Sequence, residues 1–538
     1  MIILQMENRL KSFSESIIDI KRHITSQKRT AFFTAVIIGI LVHMVVMVSD
    51  WPNHDGLASV YFDQNMITSG RWFLTVACGI SSYFTIPWII GILGMIYLGI
   101  TAAMLADITE VKSNTAAALI GGMLVAFPAL ASTFAYVFTL DGYMLALLLA
   151  VAAVAVTKKY RFGWIAGAVF LALSLGTYQA YLPFAVMLCM YMVILTETGK
   201  GTVKAKLLNC LHYLYMGIGG AVLYYVILKV LMAIEGKVLD TYQGINSLES
   251  SSKAGGIIST VPDMYKDFVS FTLKSKILGT NVFCVVAFIL LVLVALLVFF
   301  RSAIEYKWFT KPWLYITVVG MVVVMPLAAN IVMVVSPDVN YHLIMRYQWV
   351  LFPILLIAFA DRFDELLVIS NSGSGNKKSK TVTAVAAWIL VMASIVMIMC
   401  YGIADNIGYS NLNKKYEKTY AYCVRLLDRI EQTEGYYRGI PIAMIGVVSD
   451  NEYPSTDLTD GITDNMIGLS GDYLVYKNLD YQSFMENYLG ASLNFLSGDI
   501  ISDIYYSEEY RKMNSFPADD SVIIVNGIMY IKTENVEE

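Results

Sequence analysis

The chain has 538 residues, of which 57% are apolar and only 15% charged, against roughly 25% charged in an average soluble domain. The net charge of −4 conceals two unlike parts: residues 1–404 carry 28 basic and 20 acidic side chains, and residues 405–538 carry 10 and 22. The first part has the composition of an integral membrane protein and the second that of an acidic soluble domain. Secreted, fibrous and nucleic-acid-binding classes are excluded, because no basic patch of the needed size exists. The six cysteines form no CxxC or metal-ligand spacing and read as small buried apolar side chains.

In residues 1–29, Ile3, Met6, Leu10, Phe13, Ile17, Ile20 and Ile24 recur at steps of three and four, with Arg9, Lys11, Lys21 and Arg22 elsewhere. This predicts an amphipathic helix on the cytoplasmic leaflet. It is not a cleavable signal, since the next apolar run is long and no A-x-A site ends it. A membrane-spanning helix needs ~20 mostly apolar residues. Within 30–404 such runs fall at about 30–48, 85–106, 114–133, 138–156, 162–178, 180–195, 207–233, 281–300, 313–335, 345–360 and 381–403, which predicts about 11 transmembrane helices. The segment 72–84 is too short to span alone and reads as a re-entrant or interfacial piece, and 235–280 reads as a large loop.

An odd number of spans puts the termini on opposite sides, and basic residues decide which. With the N-terminus inside, the cytoplasmic segments hold 20 Lys/Arg in about 84 residues and the opposite loops 7 in about 93. Residues 405–538 then form a small extracytoplasmic α/β domain. Lys414–Glu434 and Tyr481–Phe495 are helical in pattern, 440–449 is a β-type run, and 521–533 reads as a hairpin turning at Asn526-Gly527. No G-x-G-x-x-G, Walker A or G-x-S-x-G motif occurs.

Ionisable residues at the outer ends of spans are the first candidates for chemistry, because polar groups are costly at membrane depth. The loop after the first span places Asp50, His54 and Asp55 within six residues, followed by Asp63 and Gly70-Arg71-Trp72. A carboxylate at an apolar boundary suits a general base and an arginine suits a phosphate; equally, Asp50 and Asp55 could cap a short helix. Asp141 opens the fourth span, as a site residue or a plain N-cap, and Tyr178 and Gln179 lie at the break between the fifth and sixth. Arg346 begins the tenth span on the side where positive charge is disfavoured, which calls for an anionic partner, either an acidic side chain or a lipid phosphate. His342 lies one helical turn away. His43, within the first span, reads as a satisfied buried histidine. Zinc-enzyme patterns are absent, and the sequence is silent on a divalent metal.

The multi-spanning plan, the acidic first loop ending in Gly70-Arg71-Trp72, the Tyr178-Gln179 turn, and the stretch from Ser515 to Val522 with its following hairpin resemble the GtrII-type glucosyltransferases. That resemblance implies a GT-C-like polytopic fold in the bacterial cytoplasmic membrane and a polyprenyl-phosphate-linked sugar donor, usually glucose. It also implies a cell-surface polysaccharide acceptor and use of the donor on the outer face, with no further cofactor. Many members carry adjacent acidic residues in the first loop, whereas here Asp50 and Asp55 are separated. Asp50 and Asp55 are thus the two catalytic candidates, and Asp55, further from the lipid, is favoured as the base of an inverting displacement. Arg346, Arg71 and His342 would hold the phosphate, and His54, Asp50, Asp141, Tyr178 and Gln179 the sugar or acceptor. The competing expectations are a lipid-linked sugar flippase and a polysaccharide polymerase or ligase.

Overall fold

The computed structural model describes residues 24–58, 64–79, 84–199, 201–240, 256–335, 340–364, 377–446, 460–464, 466–475 and 478–533. The interfacial-helix expectation for 1–23 and the candidate Asp63 lie outside them. Helices of seven residues or more are numbered here in chain order.

The body is built from α1 (Ser26–Met47), α2 (Pro87–Ile108), α3 (Asn114–Ala126), α4 (Pro128–Ala135), α5 (Val137–Lys159), α6 (Gly163–Thr177), α7 (Leu182–Thr198) and α8 (Val203–Glu235). It continues with α9 (Gly256–Lys274), α10 (Val282–Glu305), α11 (Pro312–Ala329), α12 (Leu351–Asp364) and α13 (Lys377–Gln432). Among the described residues seven helices are long and apolar enough to cross a membrane: α1, α2, α5, α7 with the turn before it, α8, α10 and α13. The run expected as one straight span at 114–133 is two helices, α3 and α4, bent by 42°. Pro128 is the cause: it holds Phe127 in extended backbone (ψ 130°) and removes a helical N–H. The runs at 162–178, 313–335 and 345–360 give the shorter helices α6, α11 and α12.

Burial separates the helices by role. The most apolar stretch of α5 is 78% buried within the protein, whereas that of α8 is only 22% buried. α5 is therefore the central post and α8 a peripheral helix whose apolar surface suits lipid. His43 of α1 is fully buried and satisfied, with Nδ1 2.5 Å from the Tyr409 hydroxyl and Nε2 2.8 Å from the Val125 carbonyl. One imidazole thus ties α1 to α3 and α13.

The stretch read as a loop at 235–280 contains α9. Met264, Phe268 and Phe271 form its inward face at helical spacing, but intervening charged residues dilute its hydropathy. α13 runs 56 residues without a break, roughly 80 Å at ~1.5 Å per residue, so it passes through residue 404 and joins the body to the acidic domain directly. Its polar residues are satisfied there: Asn411 donates to the Leu469 carbonyl (2.8 Å) and Lys415 to that of Ser470 (2.6 Å).

The acidic domain carries a four-stranded sheet of order β2-β1-β4-β3, with β1 Pro441–Ile445, β2 Asn494–Phe495, β3 Val522–Val525 and β4 Ile528–Lys532. β1 pairs in parallel with β2 and β4, and β3 with β4 antiparallel. The hairpin turns through Asn526 (φ 52°) and Gly527 (φ 81°), the left-handed pair its dipeptide favours. The helix expected over Tyr481–Phe495 is shorter. α14 (Asn478–Leu489) stops at Gly490, whose φ of 68° ends a helix, and the chain turns into β2. α15 (Asp499–Tyr505) completes the domain.

α1 and α3 meet through small residues, the packing that membrane helices use to bring backbones close. A Cβ on Gly121 would lie 2.6 Å from the Ala31 carbonyl oxygen and 3.1 Å from the Ala35 nitrogen. Gly121→Ala should therefore lower stability by about 1–3 kcal/mol. Gly217→Ala in α8, where nothing lies within 4 Å, should leave it unchanged; thermal unfolding in detergent checks both.

Candidate functional site

A cavity of about 600 Å³ opens where the helical body meets the acidic domain. Its lining brings together His54, Asp55, Arg71, Tyr143, Tyr178 and His342, with Gln64, Asp240 and Ile467 among the remainder. Five of the nine candidates read from the sequence thus share one space, although they are scattered from residue 54 to residue 342.

Asp55 opens a 3-10 turn, Asp55–Ala58. Buried Asn53 shapes the turn, its Oδ1 accepting the Gly56 N–H at 2.7 Å. The acidic domain braces it from the other side, because Asn487 of α14 donates to the Leu57 carbonyl at 2.8 Å. The carboxylate of Asp55 is exposed, with His54 Nε2 3.5 Å from its Oδ1. His54 stands edge-on to Tyr136 at 6.2 Å between ring centroids.

Arg71 is presented by a tight reversal at Gly70, whose φ of 77° suits glycine. The Arg71 N–H donates to the Met66 carbonyl at 3.1 Å. Its Nη1 donates to the Tyr143 hydroxyl at 3.0 Å, and its guanidinium lies 5.2 Å from the centroid of the Tyr178 ring. Tyr143 and Tyr178 stack at 4.1 Å, forming an aromatic floor beneath the cation. Gln179 does not face the cavity; it donates to the Ser69 carbonyl and the Tyr224 hydroxyl, and Tyr224 donates to the Gly70 carbonyl, all at 3.1 Å. Trp72 lies flat against Gly176, where any Cβ would fall 2.5 Å from the indole. The polar and aromatic residues between 176 and 181 therefore hold the arginine turn in place.

His342 reaches the cavity from a third segment. Its imidazole is held below its ordinary value of 6.5, first by burial and then by the positive charge of Arg346, so it is neutral at pH 7. Arg346 itself does not line the cavity. It is 6% exposed and bidentate to Asp267 of α9, at 2.7 and 2.8 Å, with Nε donating to the Tyr341 carbonyl at 2.9 Å. Its guanidinium also lies 3.9 Å from the centroid of the Tyr341 ring. The anionic partner that its position called for is thus a side chain. Around the pair, Asn330 donates to Asp267 (3.0 Å), and Gln348 (2.7 Å) and Tyr341 (3.0 Å) donate to the Ala329 carbonyl at the end of α11. This buried knot fixes the turn that carries His342.

Asp50 and Asp141 lie outside the cavity. Desolvation pushes the Asp50 carboxyl above the usual carboxylate range. It lies beside α14, where Tyr488 is pushed up by burial and by the nearby Asp50 charge. Asp141 is not an N-cap: α5 begins at Val137, which leaves Asp141 buried one turn inside. Tyr143, Asp240, Asp267 and Asn487 were not singled out from the sequence. Asp240 anchors its segment to the arginine turn, its N–H donating to the Thr68 carbonyl at 2.9 Å. Among the described residues no group of three or more His, Cys, Asp or Glu is arranged to hold a metal ion.

The family model described as Glucosyl transferase GtrII matches residues 44–357, more than half of the chain. The chain belongs to the GtrII glucosyltransferases. The matched stretch contains every cavity residue from His54 to Met345, and leaves out Ile467 and Asn487, which the acidic domain adds. No curated protein and no solved structure matches the chain.

Two expectations follow for this GtrII protein. Asp267→Ala leaves Arg346 buried without its counter-charge and should cost about 3 kcal/mol. The double change Asp267→Ala with Arg346→Met should cost less than Asp267→Ala alone, measured by thermal unfolding. Because folding depresses the His342 pKa, the unfolded chain takes up a proton that the folded one refuses as pH falls below about 6.5. His342→Gln should therefore flatten the loss of stability between pH 7 and pH 5.

Proposed function

We propose that the chain transfers a glucosyl unit from a polyprenyl-phosphate carrier to a cell-surface polysaccharide at the outer face of the bacterial cytoplasmic membrane. The observation that carries this reading is the meeting of Asp55, His54, Arg71 and His342 in one cavity at the end of a helical bundle of the GtrII family. A base beside an arginine is the minimum set for moving a sugar from phosphate to hydroxyl. The basic ends of the predicted cytoplasmic loops, at the opposite end, support the outward placement.

In this mechanism Asp55 removes the proton from an acceptor hydroxyl as its oxygen bonds to the anomeric carbon from the face opposite the phosphate. The bond between that carbon and the phosphate oxygen breaks, and its electron pair leaves with polyprenyl phosphate. Arg71 stabilises the charge that develops there, a role the buried Asp267 pair leaves to it rather than to Arg346. Neutral His342 offers a hydrogen bond to the sugar or phosphate, and His54 orients Asp55. Asp240 and Tyr178 border the sugar, and Asp141 and Gln179 act as positioning residues behind that wall. Exposure of Asp55 lets it meet an acceptor entering from water. The acidic domain closes one side through Ile467.

Purified protein supplied with radiolabelled polyprenyl-phosphate glucose and candidate glycans tests this. Asp55→Asn should lower transfer by ~10²–10⁴-fold, the range for loss of a general base, with thermal stability intact. Arg71→Gln should lower turnover and weaken donor binding, and the product should have the opposite anomeric configuration to the donor. Unimpaired transfer by Asp55→Asn would remove this residue from the mechanism.

A further inference from the structure

α5 connects two very different ends of the body. Tyr143 faces the catalytic cavity, and Lys158 and Lys159, about four turns further on, face a separate cleft. The cleft consists of two adjoining cavities, of about 1240 and 550 Å³, which share Glu110, Lys158, Lys159 and Tyr160. The larger has apolar walls from Phe32, Ile100, Met104, Ala155 and Val156. The smaller is polar, with Arg161, Lys206, His212 and Arg362 among its residues.

The charge in this cleft does not balance. Among the described residues, seven Lys and Arg side chains line the two cavities against two carboxylates, Asp107 and Glu110. Both carboxylates are already engaged: Asp107 by Lys28 at 2.8 Å, and Glu110 by Lys158 at 2.6 Å and by Arg362. Among the described residues a surplus of five positive charges therefore remains in the lining. The arrangement is also built rather than incidental. Glu110 adopts a left-handed backbone (φ 59°) to reach both cations. Its turn is clamped by buried Asp361, whose Oδ2 accepts the N–H groups of Lys112 (2.6 Å) and Ser113 (3.1 Å). Lys158 is fixed further by donating to the Ile108 carbonyl at 2.6 Å.

A fixed cationic rim beside a wide apolar groove is complementary to one class of ligand, an amphiphile with an anionic head. We propose that this cleft binds the phosphate headgroup of an anionic membrane lipid. The phosphate lies among Lys158, Lys159 and Arg161, and the chain lies along Phe32, Met104 and Val156. This site is separate from the transfer cavity and does not depend on the transfer reaction.

The test is lipid binding to the full chain in detergent, followed by native mass spectrometry with phosphatidylglycerol, phosphatidylcholine, polyprenyl monophosphate and inorganic phosphate as probes. One phosphatidylglycerol per chain should be retained at least ten-fold more tightly than phosphatidylcholine. The double variant Lys159→Glu/Arg161→Glu should lose at least ten-fold. The control Lys204→Glu/Lys307→Glu, with the same charge change outside the cleft, should keep wild-type binding; equal thermal midpoints show that both remain folded. Equal losses in the two variants, or no preference over phosphatidylcholine, overturns the proposal. So does displacement of the lipid by equimolar inorganic phosphate, which would leave no role for the apolar walls. Polyprenyl monophosphate displacing phosphatidylglycerol at a tenth of its concentration assigns the cleft to the carrier lipid, and the reverse assigns it to bulk phospholipid; each supports a lipid-phosphate site.

Discussion

Arg71 is the cation around which the candidate cavity is organised, and its position depends on holding a polar turn against an apolar bundle. Near a membrane every backbone carbonyl of such a turn needs a partner inside the protein. Gln179 and Tyr224 supply partners for Ser69 and Gly70, and the bare face of Gly176 admits Trp72. The Tyr143–Tyr178 stack then receives the guanidinium edge through one hydroxyl and its face through one ring. Without these contacts the arginine would have the reach to snorkel away, and Asp55 would face no fixed cation.

The same logic separates the two arginines. Arg346 is nearly inaccessible and saturated by Asp267, so it stabilises a turn; Arg71 lines the cavity itself, where Tyr143 and Tyr178 hold its guanidinium. A buried ion pair contributes specificity of arrangement more than net stability, and here the arrangement is the placement of His342. The acidic domain adds a third support. Asn487 holds the Asp55 turn from a sequence distance of 430 residues, and the unbroken α13 makes that brace rigid with respect to the body.

Much of this was legible in the sequence, for local reasons. Apolar runs and helix-breaking prolines mark the helices, and Asn526-Gly527 marks the hairpin. The closely spaced Asp50, His54, Asp55 and Arg71 draw attention because charge beside an apolar run is costly. What escaped was non-local. Asp267 sits in a helix too dilute in apolar residues to stand out from a loop, and its partner is 79 residues away. Tyr143 carries no local signal that sets it apart in its apolar run; only the fold places it against Arg71. Arg346 looked available because its position demanded an anion, and a sequence does not say whether a side chain or a ligand provides it.

The central claim is that glucosyl transfer takes place in the cavity between Asp55 and Arg71. Photolabelling with a polyprenyl-phosphate glucose that carries a diazirine on the sugar ring tests this most directly. The account predicts label on peptides containing residues 54–58, 64–71 or 342–345, suppressed by excess unlabelled donor. Competable label confined to other parts of the body, with none on these three segments, would contradict it.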